Sequence, residues 1–437
     1  MSHKINKIWN KISYETIIFG VIMIRFLSTR ALDLNTWATA WDAMDYSMGN
    51  GSRLLIGSIY RLFYGEYLDI TVAYKYVGIG IMLTILVLAV VLGQLIRRSL
   101  AADYAHKDVI YGVVTAYVIA PFSIAYVWNE DNLGRFDVYM LLVALLTVLA
   151  ALCIKNYVAK AILITVLGVT GLAIHQGYAF LYYPLTFTVL CYDAFAENRL
   201  HKKRFVGVVI SGAIEVAAAI YFQFFTKINF DSVEETVSFI KSRTNLEVSD
   251  FAIQLEYFGS MKYQLDEVTS VFFHGNEDPI RHLLLILLLM SPLLILYLMV
   301  WKDVFFDLRQ KKVKLIQSPY LYAALVNICF IPMFVIHVDW GRHLAPLMAM
   351  PTFVFLFLLA QKDKSIIYAF GKMQERVKSH PWYFVLTLVW IAGFDSFGAR
   401  NFQWQTDRLY NFLKYGFICK RKGGLKTRGF GPFVCED

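Results

Sequence analysis

The stretch ALDLNTWATAWDAMDYSMGNGSR, from Ala31 to Arg53, decides how the rest of the chain is read. It follows the first apolar segment and carries Asp33, Asp42 and Asp45, which make it too polar to lie in hydrocarbon. Beside them stand Trp37, Trp41 and Tyr46, amphipathic rings that settle at a membrane interface. The stretch predicts one or two short helices lying on a bilayer surface. On a helix Asp42 and Asp45, three residues apart, share one face, and Asn50-Gly51-Ser52 supplies a turn before Arg53. Two close carboxylates followed by a cation can hold a metal, a phosphate or a proton in transit. The same residues also suit a solvated loop that anchors the chain at the interface.

Outward from this stretch, composition sets the class. With 58% hydrophobic, 16% aromatic and 17% charged residues, the 437-residue chain lies outside the range of soluble globular proteins. Its repeated apolar runs are each close to the ~20 residues that cross ~30 Å of hydrocarbon. The expectation is an all-α fold, a polytopic transmembrane helical bundle of ten or eleven spans, forming one integral membrane domain over 1–437. Spans are predicted near 13–30, 70–95, 109–128, 138–154, 159–174, 178–194, 205–225, 282–301, 318–336, 344–361 and 382–398. The N-terminal Lys4, Lys7 and Lys11 precede an apolar run with no small-residue cleavage site, which reads as an uncleaved first span. The five cysteines show no metal-ligand spacing, and only Cys419 and Cys435 are placed to form a disulfide.

A net charge of +9 raises nucleic acid as a partner, but the distribution of cations argues against it. Of the 42 Lys and Arg, 22 fall in the N-terminus and in the alternate loops around 97–107, 155–160, 199–204, 302–314 and 362–378. By the positive-inside rule this is the cytoplasmic face. The opposite side receives the 31–69 segment, with a second surface helix in LLIGSIYRLFYG, together with 129–137, 175–177, 226–281 and 337–343. Nineteen of the 33 acids lie there. The 226–281 segment is rich in aromatics, has helix-like pieces at 232–243 and 249–262, and is long enough to cap a cavity. The 400–437 tail is basic.

Polar clusters gather on that acidic side. Glu130, Asp131, Arg135 and Asp137 crowd a turn around Gly134, where Asp137 can equally serve as a helix start favoured by the dipole. His175 ends the fifth span, at a depth where polar side chains face water-filled cavities. His337, Asp339, Arg342 and His343 fall within seven residues, and an arginine fork suits phosphate. Glu215 lies mid-span, where it must be neutral or paired.

Few ionisable residues inside the spans, and no internal repeat, count against an ion-coupled transporter. An enzyme at the membrane edge fits better, taking a lipid-linked phosphate substrate. A flippase or exporter of lipid-linked glycans is the alternative. The long first outer loop with its Asp residues and surface helices resembles the GT-C class of membrane glycosyltransferases. The NEDNLGRFD and HVDWGRH turns are similar to acid-Gly-Arg turns in bacterial O-antigen glucosyltransferases and repeat-unit polymerases. The resemblance implies a polyprenyl-phosphate-linked sugar as donor, a glycan acceptor and surrounding membrane lipid as partners. It also implies the cytoplasmic membrane as location, with the active face outward. The first-loop Asp of that class maps onto Asp42 or Asp45, with Asp33 as a further candidate. No adjacent Asp-Asp pair is present, so a base and a divalent cation (Mg or Mn) on Asp42 and Asp45 both remain open.

Overall fold

The computed structural model describes residues 13–29, 34–120, 133–259, 277–329, 331–336, 340–397 and 402–404, with parts of 263–270. It is 81% helical and 2% strand, as the apolar runs predict. In chain order the helices are α1 (Tyr14–Thr29), α2 (Thr36–Asp42), α3 (Leu54–Tyr64), α4 (Ile70–Ala102), α5 (Lys107–Ile119), α6 (Asp137–Cys153), α7 (Tyr157–Ile174), α8 (Tyr178–Leu181) and α9 (Tyr183–Ala194). They continue with α10 (Lys202–Phe224), α11 (Val233–Ser242), α12 (Asp250–Phe258), α13 (Glu277–Gln310), α14 (Pro319–Ala324), α15 (Ile331–Ile336), α16 (Trp340–Ala360), α17 (Lys364–Ser379) and α18 (Pro381–Gly393). Two short antiparallel pairs complete the described chain: β1 (Gly49–Asn50) with β2 (Lys227–Ile228), and β3 (Phe394–Phe397) with β4 (Phe402–Trp404).

Among the described residues α4, α7 and α10 are long and apolar enough to cross a membrane, and α16 with α17, bent by 113°, makes a fourth if taken as one span. Several expected spans are shorter or broken. The 318–336 stretch splits into α14 and α15 around a 3₁₀ turn, and Pro319 sits in the first turn of α14, where a missing N–H costs no intrahelical bond. The 178–194 stretch breaks at Tyr182, ahead of Pro184. The 382–398 stretch is helical for only 13 residues before it enters β3.

Helix α4 is the centre of the packing, in contact with α1, α6 and α16, while α7 joins α6 to α10. The outer faces stay apolar: Val206, Val209, Ile210 and Ile214 on α10, and Val158, Ile162 and Val166 on α7, are exposed. A continuous band of this kind is what a lipid-facing surface presents. Glu215 on α10 turns inward instead. Its carboxyl rests against Gly168 of α7, where a Cβ would collide with it, and Ser211 Oγ lies 3.5 Å away, itself 2.7 Å from Thr165 Oγ1.

The loops sort into two ends, and their contacts divide them as charge does. At one end 34–69 meets 133–137, 173–178 and 226–259. At the other, Asp103 pairs with His106 at 2.6 Å, Lys160 with Asp193 at 2.8 Å, and Asp303 with Arg376. The basic loops also hold buried acids. Asp363 caps α17 by accepting from the Ser365 and Ile366 N–H groups, and it takes further hydrogen bonds from Tyr320 Oη at 2.6 Å and Tyr192 Oη at 3.2 Å. Burial pulls the Asp363 carboxyl above its ordinary range, with the tyrosine hydrogen bonds acting in the other direction.

Candidate functional site

Asn35 begins the site by capping α2: its side-chain oxygen accepts from the Trp37 and Ala38 N–H groups. The helix ends at Asp42, so Asp42 and Asp45 do not share one helical face as the spacing predicts. Asp45 lies in the turn beyond. The tight seat explains the early stop, because α3 crosses directly beneath: a Cβ on Gly57 would run into the backbone carbonyls of Met44 and Asp42. Only glycine lets the two segments approach so closely.

The two carboxylates then differ in every respect but burial. Asp45 accepts from Arg61 Nη1 at 3.0 Å, from Arg243 Nη2 at 2.5 Å and from the Ser47 N–H at 2.7 Å. Burial pushes its carboxyl up, but the bonds from Ser47 and Arg243 outweigh this and hold it below its ordinary value. Asp42 is fully buried, and neither of its carboxyl oxygens has a hydrogen-bond partner among the described residues. Desolvation alone drives its carboxyl well above the usual range. Its surroundings are phenolic: Tyr60 and Tyr64 lie within electrostatic reach, Tyr64 Oη donates to its backbone carbonyl at 3.4 Å, and Tyr60 is hydrogen-bonded to Tyr139.

Beside Asp42, Trp41 organises the cations. The Arg53 guanidinium lies over its ring at 4.7 Å, and the His175 ring meets it edge-on at 6.4 Å. Arg53 has a left-handed backbone with φ of 70°, its N–H donates to the Ala173 carbonyl, and its side chain forms an ion pair with Glu256 of the 226–281 segment. Its Nη2 also approaches His175 Nε2 at 3.2 Å, while the Gly177 N–H donates to His175 Nδ1 at 2.9 Å. A neutral imidazole has one acceptor nitrogen, so these two donors compete for it. Arg135 joins through the neighbouring ring, its guanidinium 5.7 Å from the centre of Trp37. Asp137 is the first residue of α6 and is buried, as a helix-start carboxylate is expected to be placed.

The described residues 226–259 pack against this assembly. Thr39 Oγ1 donates to the Glu247 carbonyl at 2.7 Å, the Ser249 N–H donates to the Thr36 carbonyl at 3.0 Å, and Phe251 packs edge-on against Trp37. Helices α11 and α12 fall within the two pieces expected at 232–243 and 249–262.

Of the residues singled out in sequence, Arg135 and His175 meet the rings of Trp37 and Trp41, Asp42 follows Trp41 with its carboxyl among tyrosines, and Asp45 lies in the turn beyond. Asp33, Glu130, Asp131, His337 and Asp339 lie outside the described residues. Arg342 and His343 open α16, and their side chains likewise lie outside them. Sequence reasoning passed over Arg61, Arg243 and Glu256, which stand on amphipathic helix faces or next to them and carry no motif. A shared divalent cation on Asp42 and Asp45 does not fit this arrangement, because Asp45 already turns both oxygens to guanidinium groups. Among the described residues no three His, Cys, Asp or Glu side chains converge as metal ligands.

Among the described residues, Asp42 Oδ1 and Oδ2, Trp41 Nε1, Ser52 Oγ, Arg53 Nε and Gln176 Oε1 are buried polar atoms without hydrogen-bond partners on these elements. Such groups are rare in folded proteins, and a cluster that mixes donors and acceptors is what a polar ligand satisfies. No family model, curated protein or solved structure matches this chain.

Proposed function

We propose that the protein is a polytopic membrane glycosyltransferase of ten or eleven spans. It transfers a sugar from a polyprenyl-phosphate donor to a glycan acceptor at the outer face of the cytoplasmic membrane, in assembly of a cell-surface polysaccharide. The observation that carries the reading is Asp42: a carboxyl fully buried in the first loop and unpartnered among the described residues, with Arg53, Arg135 and His175 gathered around Trp37 and Trp41.

In this reaction an acceptor hydroxyl oxygen bonds to the sugar C1, and the C1–O bond to the donor phosphate breaks. The hydroxyl proton passes to Asp42, and polyprenyl phosphate leaves with its charge met by arginine. Desolvation keeps Asp42 protonated while the site is closed. Water entering with the substrates relieves that effect and frees the carboxylate to act as base. Asp45, fixed by two arginines, holds the first loop to the 226–281 segment and takes no proton. Arg342, with His337, Asp339 and His343, is assigned to the donor phosphate together with Arg135, and Glu130, Asp131 and Asp137 to its surroundings; Asp33 is a further first-loop carboxylate near the acceptor.

The test is transfer by the purified full-length protein in detergent, supplied with radiolabelled polyprenyl-phosphate sugars and an oligosaccharide acceptor. Label moving into the acceptor is the expected result. Movement of the labelled lipid across proteoliposomes without transfer would replace the enzyme with a flippase.

A further inference from the structure

At the opposite end of the molecule from Asp42, helix α17 turns away from α16 by 113° and lies across the foot of α13. Its Ile366, Ala369, Phe370 and Met373 are buried against the bundle. Between α13 and α17 runs an open groove of about 440 Å³, lined by Lys302, Arg309 and Lys372 together with Phe306 and Tyr368. Lys302, Phe306 and Arg309 follow one another at helical spacing on one face of α13, and all three are exposed. The one carboxylate in the groove, Asp303, is already neutralised by a two-bond ion pair with Arg376. Lys372 bonds Glu375 at 2.9 Å, while Lys302 and Arg309 have no ion-pair partner among the described residues.

Toward the apolar part of α13 a second groove of about 680 Å³ adjoins, where Leu296 and Met299 face Trp382, Tyr383 and Phe384 at the start of α18. Trp382 is 75% exposed, a placement that suits an interfacial ring. Leu296 and Met299 on α13, with the aromatic start of α18, thus form an apolar wall followed along α13 by Lys302 and Arg309, with Arg376 and His380 also on the second groove, and a phospholipid runs in the same order from chain to phosphate.

We propose that this pair of grooves binds an anionic phospholipid, with its headgroup phosphate between Lys302, Arg309 and Lys372 and an acyl chain along Leu296, Met299 and Phe384. Basic pockets between membrane helices on the cytoplasmic side hold acidic headgroups, and each cation near such a surface is worth about fivefold in affinity. The site is separate from the Asp42 cluster and holds whatever chemistry Asp42 performs.

The full-length protein, purified in detergent, is incubated with equal amounts of dioleoyl phosphatidylglycerol and dioleoyl phosphatidylcholine, and retained lipid is counted by native mass spectrometry. Wild type is expected to retain phosphatidylglycerol preferentially. The triple variant Lys302→Gln, Arg309→Gln, Lys372→Gln is expected to lose that preference, and the charge-keeping Lys302→Arg, Lys372→Arg variant to retain it. Unfolding temperature controls for folding, since all three side chains reach solvent. Equal preference in wild type and triple variant overturns the proposal. So does displacement of the lipid by an equal concentration of glycerol 3-phosphate, which would assign the cations to a free phosphate.

Discussion

Arg243 donates to Asp45 at 2.5 Å across 198 residues of sequence, and both side chains are buried. This contact ties the first loop to the 226–281 segment, and Arg243 binds the Glu66 carbonyl as well. Removing Asp45 leaves the buried Arg243 charge uncompensated, which costs about 3–5 kcal/mol, while removing Arg243 leaves Asp45 still paired with Arg61 and costs less. Asp45→Asn and Arg243→Met should each lower the unfolding temperature in detergent, and the double variant should recover part of the loss. Because Asp45 titrates below its ordinary value when folded, its contribution is full above the unfolded pKa of about 3.9. It fades as pH falls through the folded pKa. Wild type should therefore lose stability at acid pH that Asp45→Asn does not lose.

The seat of α2 on α3 makes a packing prediction. Gly57→Ala drives a methyl group into the Met44 and Asp42 carbonyls, and forcing apart a packed backbone costs about 1–3 kcal/mol. Gly78→Ala on α4 meets nothing within 4 Å and adds helix propensity. Thermal unfolding of the two variants should move in opposite directions. A neutral Gly57→Ala would mean that α2 and α3 are not in contact in the membrane.

Much of this arrangement was legible from the chain, and the limits have physical causes. The charge count grouped 31–69 with 226–281, and described parts of the two do meet, as β1 with β2 and Arg53 with Glu256 do. Asp42 stood out through its place after the first apolar segment. That it is unpartnered while Asp45 is clamped could not be read, since the difference depends on Arg61 and Arg243 arriving from other elements. The loops around 302–314 and 362–378 read as plain basic surface. Yet Asp307, hydrogen-bonded to Ser365 at 2.6 Å, and Asp363, bound by Tyr320, are buried there, and neither hydroxyl partner lies near in sequence to its acid.

Sidedness is open to direct measurement. Ser238 on α11 and Gln310 at the end of α13 are both exposed and belong to opposite ends of the bundle. In a cysteine-free background, Ser238→Cys should react with a membrane-impermeant maleimide on intact cells. Gln310→Cys should react only after the membrane is opened. The reverse pattern would turn the Asp42 site inward and remove the outer-face substrate.

Asp42→Asn isolates the chemistry. The change keeps the side-chain shape and removes a carboxyl whose charged form burial disfavours, so the unfolding temperature at neutral pH should hold or rise. The stability that a raised pKa lends is present below about pH 3.9 and lost as pH rises from there through the folded value, so wild type should weaken over that rise while Asp42→Asn does not. Sugar transfer should fall by about 10² to 10⁴, the usual worth of a general base. Asp45→Asn, by contrast, should lose transfer only in proportion to lost folded protein. A chelator should leave the wild-type rate unchanged, since the Asp45 oxygens already face guanidinium groups and are not free to hold a metal ion. Inhibition by chelator with rescue by Mg²⁺ or Mn²⁺ would return a metal to the first loop. Wild-type transfer by a folded Asp42→Asn protein would make this carboxyl a structural residue and withdraw the main support for glycosyl transfer.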